Sequence, residues 1–234
     1  MDQWKTQHLH TLSEKQDPQS MFDYAVRLLE DLDFVNVGLA LYMYNAGHSP
    51  RVILYNNYSS CLNTYFRDLA FVDLDPITQQ CHFRTSAVIW REELFECAPY
   101  FREVTWNHGL RYGWTQPVHD VRHNETQLSV SRPRRSVDTD ELLLKGAQVL
   151  WLCNTLHALL SEHYQADLTL TLKLSKRELE VIKWSAIGKT ASDIAEILSL
   201  SISTVNFHIR SVIAKTNAAN KVGAVAIAVS QGLI

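Results

Sequence analysis

The chain has 234 residues, of which 46% are hydrophobic, and its formal net charge is −3. This composition provides enough apolar surface for one large or two smaller folded domains, which excludes a disordered chain and a collagen-like repeat. The longest apolar runs fall well short of the roughly 20 residues that cross a bilayer, so we predict no membrane partner.

The first residues and the cysteines predict where the protein acts. Residues 1–5 lack the basic segment and apolar stretch of a secretory signal. The cysteines lie far apart and form no Cys-x-x-Cys pair, which is typical of free thiols in a reducing compartment. We therefore expect a cytoplasmic location.

The N-terminal part alternates between helical and strand patterns. Asp17 and Pro18 predict a helix cap and a first-turn proline. Residues 35–44 alternate in the manner of a strand, with Gly38 and Ala40 on the less bulky face. That face leaves room for a ligand, although small residues under a packed helix are the commoner explanation. Further strands are predicted at 51–57, 87–90, 114–120 and 127–132, which favours an α+β fold, an α/β/α sandwich around one sheet.

A long helix is predicted from Asp140 to Tyr164. Its apolar residues fall at 142, 149, 153, 156 and 160, and Leu143, Ala147 and Leu150 widen the stripe. This surface is larger than one sheet needs to cover, so we predict a homodimer through the helix, which also suits an operator with two half-sites. Core packing within one chain is the alternative.

The charge changes sign near residue 172. Residues 1–172 contain 14 Lys and Arg against 21 Asp and Glu, a net charge of −7, whereas 173–234 contain 8 against 4, a net charge of +4. A basic C-terminal unit suits a polyanion, although ordinary variation in surface charge is the alternative. Residues 165–172 lack helical periodicity. We therefore predict a sensor and dimerisation domain at 1–164, a linker at 165–173 and an all-α domain at 174–234.

The C-terminal part contains four helical patterns. Ser175 and Glu178 form a capping box at the first helix, which stops at Gly188, and Thr190 begins the second. The third runs from about Ser203 to Thr216 and the fourth from Lys221. The stripes expected to be buried are, helix by helix, Leu179, Ile182 and Ala186; Ile194, Ala195, Ile197 and Leu198; Val205, Ile209 and Val212; Val222, Val225, Ala226 and Val229.

Two helices joined by a short turn are typical of a helix-turn-helix, which places its second helix in the DNA major groove. Asn206 and Arg210 share the outward face of that helix, and both side chains can make bidentate contacts to base edges. Solvated residues on a small helical bundle are the alternative. The other candidate DNA contacts are Ser203, Thr204 and Phe207 on the same helix, and Lys189, Thr190, Lys215 and Lys221 for phosphates.

Residues 174–234 resemble the DNA-binding domain of LuxR-type regulators almost without interruption. The motifs that carry the resemblance are 174–184, 188–190, 194–195, 204–208 and 232–234. The resemblance implies a recognition helix at 203–215, a structural signature formed by Glu178, Ile182 and Gly188, and a double-stranded DNA operator and RNA polymerase as partners.

The sensor part resembles quorum-sensing regulators that bind acyl-homoserine lactones. Residues 57–76 match their ligand-binding segment without gaps, and Trp90 and residues 109–117 extend the match. The resemblance implies that Tyr58 and Ser129 bind the acyl amide carbonyl region, that Asp75 accepts from the amide N–H, and that Trp90 packs against the ring. The small-molecule signal is then the only bound cofactor, and no metal is expected.

Two positions depart from the family pattern. Leu62 stands where the family usually has a Trp that donates to the lactone carbonyl, and Phe66 stands where it has Tyr. A lost hydrogen bond to the ligand costs about 0.5 to 1.5 kcal/mol. The signal is therefore either a lactone held differently or another small amide or carbonyl compound. With Gly38 and Ala40, these two residues complete the set of candidate ligand contacts.

Two other classes of protein remain open from the sequence. An enzyme would use Asp75 and Tyr58 as base and acid, but the chain lacks the nucleophile-elbow, zinc-protease, P-loop and dinucleotide motifs, and its histidines are scattered. An interaction protein would pair with another regulator, block it, and leave no operator footprint as a homodimer. We therefore expect a ligand-responsive regulator that is not an enzyme.

Overall fold

The computed structural model forms two compact units, the sensor unit and the helical unit. The sensor unit contains the chain up to Met43 with Val52–Asp120 and Asn124–Tyr164, and the helical unit is centred on Gln165–Ile234. All four cysteines are free thiols, as the sequence predicted. The structure describes residues 2–15, 17–44, 49–168, 174–230 and 232–234.

One five-stranded sheet forms the middle of the sensor unit. Its strands are β1 (Asn36–Met43), β2 (Arg51–Asn56), β3 (Val88–Ile89), β4 (Tyr112–His119) and β5 (Glu125–Arg132). Their order is β2-β1-β5-β4-β3, and β5 pairs antiparallel with both β1 and β4. All predicted strands are present, and the α+β class is confirmed.

Helices precede, interrupt and follow these strands. Asp17 accepts a hydrogen bond from the Ser20 backbone N–H at 2.9 Å and caps the second helix, as its sequence pattern predicted. A 3₁₀ turn lies at Glu92–Phe95. The helices of the N-terminal part are α1 (Asp2–Ser13), α2 (Pro18–Glu30), α3 (Ser60–Tyr65), α4 (Leu69–Val72), α5 (Pro76–Cys81), α6 (Pro99–Asn107) and α7 (Thr139–Leu168).

The two faces of the sheet are covered differently. On one face, α7 is joined to β5 and β4, since Thr126 Oγ1 lies 2.8 Å from His157 Nδ1 and Cys153 Sγ donates to the Gln116 carbonyl at 3.2 Å. The short helices α3 to α6 pack in an apolar cluster that also takes in β3. Since successive strand residues point to opposite faces, Gln127 and Ser129 lie on the face opposite Thr126.

The stripe of α7 divides into buried and exposed parts. Val149, Cys153, Leu156 and Leu160 are buried within the chain, so core packing accounts for them. Leu143, by contrast, is 73% exposed, and the neighbouring Leu144 and Leu150 are exposed too. The apolar surface available to a second protomer is therefore smaller than the whole predicted stripe.

The predicted linker begins too early. Helix α7 continues through Leu168, so residues 165–168 are helical rather than irregular. A segment without apolar periodicity lacks a buried face. It can still continue a helix when it contains no proline or glycine to end it. Residues 169–173 of the predicted linker lie outside the described residues, and the domain boundaries stay a prediction.

The helical unit contains the four expected helices. They are α8 (Lys176–Ala186), α9 (Ala191–Leu198), α10 (Ile202–Thr216) and α11 (Lys221–Ser230). Both capping boxes, Ser175 with Glu178 and Thr190 with Asp193, are present. No single helix among the described residues is long and apolar enough to cross a membrane; α9 and α10 would reach the required length only together, and they meet at a 110° bend.

The buried stripes differ from those predicted in three helices. Val205, Ile209 and Val212 of α10 are buried as expected, but Ala186 in α8 and Ile197 in α9 are exposed. In α11 the buried residues are Ala224 and Ala228, whereas Val222, Ala226 and Val229 are exposed and Val225 is half-buried. The small alanines let α11 approach Ile182 and Val212, which larger side chains would prevent.

Glu178 connects α8 to α10. Its carboxylate is only 5% exposed and accepts from the Ser175 backbone N–H at 2.6 Å, from Ser211 Oγ at 2.7 Å and from Lys215 Nζ at 2.7 and 2.8 Å. Burial raises the pKa of this carboxyl group, but the hydrogen bonds from Lys215, Ser211 and Ser175 outweigh it and lower the pKa to about 2.

Replacing Glu178 by Ala should destabilise the helical unit by about 3 kcal/mol, because Lys215 and the Ser175 N–H lose a buried partner. The folded-state pKa lies below the unfolded value, so this stabilisation is present above pH 4.5 and is lost as the pH falls towards 2. Urea denaturation at pH 7 and pH 2.5 measures both effects. Glu180→Ala removes an exposed ion pair on the same helix and should change the free energy of unfolding by about 0.5 kcal/mol or less; equal losses for the two variants would contradict the assignment.

Candidate ligand cavity and nucleic-acid interface

A cavity lies between the sheet face of Gln127 and Ser129 and the helices α3 to α6. Its empty volume is about 740 Å³, including the part that opens to solvent. Seven of the eight predicted ligand residues line it, namely Gly38, Ala40, Tyr58, Phe66, Asp75, Trp90 and Ser129. The small face of β1 therefore opens onto a cavity instead of a packed helix.

Leu62 is the predicted ligand residue that lies outside this lining, and its contact with a ligand stays a prediction. It is fully buried in the apolar cluster with Phe71 and Phe101, while Phe66 on the next turn of the chain reaches the cavity. Leu62 has no polar atom to present to a ligand, and full burial gives its side chain the largest hydrophobic stabilisation.

Tyr58 reaches the cavity because residue 38 is glycine. A Cβ atom on residue 38 would lie 2.2 Å from Tyr58 Oη and 2.9 Å from Cζ, which is closer than atoms can approach. Burial and the neighbouring Asp75 raise the pKa of the Tyr58 phenol well above its usual range, so the hydroxyl group stays protonated and can donate.

Asp75 presents a partly satisfied carboxyl group to the cavity. Its Oδ1 accepts from the Ile77 backbone N–H at 2.9 Å, which caps α5, and its Oδ2 lies 2.9 Å from Thr78 Oγ1. Burial raises the pKa of Asp75 to about 6, because these two contacts do not replace the lost hydration. A ligand donor would favour the ionised carboxylate.

Trp90 and Ser129 are linked through a buried threonine. The Trp90 indole N–H donates to Thr115 Oγ1 at 3.0 Å, and Thr115 Oγ1 lies 2.8 Å from Ser129 Oγ. The Thr115 hydroxyl group can donate its hydrogen bond to Ser129 Oγ. The Ser129 hydroxyl group can then donate to a ligand carbonyl. The Trp90 indole N–H is therefore already paired, and its ring is the part that faces the cavity.

Sequence reasoning missed several residues that line the cavity. Tyr42, Tyr55, Thr78 and Gln127 are among them. Strand alternation could have identified Gln127, since it is two residues from Ser129 and opposite Ala40. Tyr55 and Thr78 carry no comparable signal, because their positions depend on how β2 and α5 pack. Among the residues that the structure describes, no three His, Cys, Asp or Glu side chains cluster as metal ligands would.

The outward face of α10 carries the candidate base contacts. Ser203, Phe207 and Arg210 are exposed and Asn206 is half-buried, and Phe207 is 63% exposed although it is aromatic. The Arg210 Nε donates to the Asn206 carbonyl at 3.3 Å, which leaves the terminal guanidinium nitrogens available. Ser201 caps α10 through the Thr204 backbone N–H at 3.1 Å.

The candidate phosphate contacts fall into two groups. Lys189 is exposed, and Lys221 donates to its carbonyl at 3.4 Å, so the Lys221 ammonium group lies beside the Lys189 backbone. Thr190 and Lys215 have structural roles, since Thr190 caps α9 and Lys215 pairs with Glu178. Spacing alone did not reveal the Lys215 pair, because its partner is 37 residues away.

Known families match both units. The autoinducer binding domain family matches residues 17–160, and the luxR family of bacterial regulatory proteins matches residues 172–228. The regulatory protein SdiA of Escherichia coli is 36% identical over 188 residues, 79% of this chain and 78% of SdiA. The transcriptional activator AnoR of Acinetobacter nosocomialis is 26% identical over the whole of both chains.

Solved structures agree with these matches. The crystal structure of Escherichia coli SdiA superposes with a TM-score of 0.81 at 29% identity, covering 99% of this chain and 98% of that one. A structure of SdiA in complex with octanoyl-rac-glycerol gives the same TM-score at 28% identity, covering 99% and 95%. With its autoinducer binding domain and its luxR-type DNA-binding domain, the chain belongs to the LuxR family of quorum-sensing transcriptional regulators.

Proposed function

We propose that this protein is a dimeric, cytoplasmic regulator whose cavity binds an acyl-homoserine lactone or a related acyl amide, and whose α10 then reads an operator. The observation that carries the proposal is Asp75, a half-buried carboxyl group with unused acceptor capacity, in the same cavity as the hydroxyl groups of Tyr58 and Ser129. An amide N–H suits Asp75, and an amide carbonyl suits the two hydroxyl groups. The apolar lining suits an acyl chain.

A second ligand class has its own support. Leu62 lies outside the lining and Phe66 has no hydroxyl group, so neither can donate to a second carbonyl such as that of a lactone. An acyl glycerol has hydroxyl groups that would donate to Asp75 and needs no such partner; the SdiA structure contains a compound of this class. Thermal-shift titration with N-octanoyl-homoserine lactone and 1-octanoylglycerol compares the two.

Ligand binding would act through stability and pairing of protomers. A ligand that binds only the folded sensor unit at a hundredfold excess over its Kd stabilises that unit by about 2.7 kcal/mol. The exposed Leu143, Leu144 and Leu150 of α7 supply an apolar strip for a second copy, and two protomers suit two half-sites. We further propose that the protein binds its ligand without changing it chemically, and that it recruits RNA polymerase. Measuring the mass of the ligand before and after incubation with the protein tests whether the ligand is turned over.

Asp75→Asn should weaken binding of N-octanoyl-homoserine lactone ten- to a hundredfold, since a charged acceptor is lost. The same change should stabilise the unliganded protein by about 2 kcal/mol at pH 7.5, where the wild-type carboxylate is ionised above its raised pKa, and by nothing below pH 3.8. Calorimetry and urea denaturation measure the two effects. Asp73→Asn, in the exposed turn before Asp75, should change neither; unaltered binding by the Asp75 variant would refute the proposed contact.

Gly38→Ala should reduce lactone affinity about tenfold, because the new Cβ forces the Tyr58 ring from its place. When Tyr58 is replaced by Phe, Gly38→Ala should reduce the lactone affinity less, since the Tyr58 Oη atom that would lie 2.2 Å from the new Cβ is absent. Gly146→Ala serves as the control: its Cβ would meet nothing closer than 3.7 Å, and in α7 it should stabilise the fold by about 0.5 to 1 kcal/mol without altering binding. Wild-type affinity in the Gly38 variant would mean that Tyr58 does not contact the ligand.

Arg210→Ala should remove the preference for one base pair of an operator selected from random DNA by the wild-type protein, at a cost of about 1 to 3 kcal/mol. Lys189→Ala should weaken binding to all sequences alike and reduce the slope of log K against log salt by about 1. Gel shifts at several salt concentrations, followed by sequencing of the bound DNA, distinguish the two. If the Arg210 variant selects the wild-type sequence, Arg210 does not read a base.

A further inference from the structure

A chain of polar side chains leads from the cavity to the edge of the sensor unit. Asp75 Oδ2 lies 2.9 Å from Thr78 Oγ1, which lies 3.1 Å from Gln127 Oε1. The Gln127 amide nitrogen donates to Glu125 Oε1 at 2.6 Å, and Glu125 Oε2 lies 2.6 Å from His82 Nδ1. The side chain of Glu125 is 2% exposed and that of His82 is 30% exposed, so the middle of the chain is shielded and its outer end meets solvent.

The direction of each hydrogen bond in this chain can be assigned by counting protons. The Gln127 amide nitrogen faces two acceptors, Glu125 Oε1 and the Thr78 carbonyl at 3.5 Å, so its Oε1 must be the atom that faces the Thr78 hydroxyl group. Thr78 has one hydroxyl proton and two acceptors, Gln127 Oε1 and Asp75 Oδ2. If Asp75 is ionised, one of these contacts lacks a proton. If Asp75 is protonated, it donates to Thr78, Thr78 donates to Gln127, and every contact is satisfied.

The outer end of the chain fixes this direction. Glu125 accepts from Gln127 at one oxygen and from His82 at the other, which suits the ionised carboxylate and leaves Gln127 no alternative orientation. The unfavourable charge of the buried Glu125 is therefore stabilised at its own position, and its negative charge also disfavours ionisation of Asp75.

We propose that Thr78, Gln127 and Glu125 are positioning residues that hold a proton on Asp75 of the unliganded protein in mildly acidic medium, and that a ligand N–H or O–H group binding to Asp75 releases this proton to solvent. The raised pKa of Asp75 agrees with this arrangement. The part that concerns the ligand rests on the proposed function, whereas the protonation of Asp75 does not. The affinity for the signal then falls as the medium becomes acidic.

Other titratable groups around Asp75 do not supply this proton. Asp75 acts on the Tyr58 phenol and on the Cys81 thiol, and burial, as the larger cause, raises the pKa of each well above the neutral range. His82 acts on Asp75 as a cation that favours the carboxylate.

The groups facing Glu125 come from three elements. Tyr42 on β1 and His119 on β4 are its register partners, and His82 follows α5. The His119 Nε2 lies 2.9 Å from the Arg84 carbonyl, so it donates there, and the Tyr42 ring packs edge-on against His82 at 5.1 Å between centroids. His82 is therefore the group that pairs with Glu125 directly.

The protonation of Asp75 can be tested in the unliganded full-length protein. The difference in unfolding free energy between a protein and its Asp75→Asn variant is followed from pH 4 to 8. The slope of this difference against pH falls to half its value at the folded-state pKa of Asp75, and this pH is called the midpoint. Glu125→Gln should move this midpoint down by about half a pH unit or more, because it removes a negative charge. His82→Gln should move it up, because it removes a positive one. Glu162→Gln, an exposed change on α7, should leave it in place.

A merely structural role of Glu125 and His82 would not shift the midpoint in opposite directions in the two variants. If both variants keep the wild-type midpoint, or both move it the same way, the chain does not set the proton on Asp75 and the proposal is overturned. If Glu125→Gln does not fold, the upward shift in His82→Gln decides the question, since His82 is partly exposed and its loss is tolerated more easily.

The release of the proton is measured by calorimetry with N-octanoyl-homoserine lactone, in two buffers of different ionisation enthalpy. At pH 5 about one proton should be released per bound ligand, and the apparent Kd should rise about tenfold for each pH unit below the midpoint. The absence of both effects while the lactone binds would overturn coupled release. If neither this probe nor 1-octanoylglycerol binds, the proposed function fails, whereas the midpoints in the unliganded protein still decide the protonation of Asp75.

Discussion

The constraint on which the sensor unit depends is the burial of the Asp75 carboxyl group in a largely apolar cavity. Its own chain supplies one backbone N–H and one hydroxyl contact, which is less than a carboxylate loses on leaving water. The glycine at position 38 and the antiparallel register of β5 place the Tyr58 and Ser129 hydroxyl groups in the same cavity. A ligand with an N–H or O–H donor would supply the missing interaction, so under the proposed function the feature that disfavours the unliganded state favours binding.

Glu178 shows the opposite outcome for the same chemical group. Its carboxylate is buried too, but it accepts from Ser175, Ser211 and Lys215, and its pKa is low where that of Asp75 is high. A carboxylate that its own chain satisfies joins two helices permanently. One that its chain satisfies only in part remains available to a ligand. The Lys215 cation in direct contact with Glu178 therefore distinguishes that carboxylate from Asp75.

The two departures from the family pattern have different consequences. Phe66 keeps an aromatic ring at the cavity wall and loses only a hydroxyl group, whereas Leu62 lies wholly within the apolar cluster. The lining residues that can pair with a polar ligand group therefore include Tyr58, Asp75 and Ser129, but not residues 62 and 66.

The sequence by itself determined the elements and seven of the residues that line the cavity. Caps and capping boxes marked where α2, α8 and α9 begin, and alternation marked β1 together with the open face of Gly38 and Ala40, because these patterns depend on neighbours within one turn or two residues. Tertiary structure decided which face of a helix is buried: Ala224 rather than Val222 in α11, and Leu62 within the cluster rather than the cavity. It also brought Lys215 to Glu178 and joined Gln127 to Thr78. Such contacts arise from packing between segments far apart in the chain, which no local periodicity specifies.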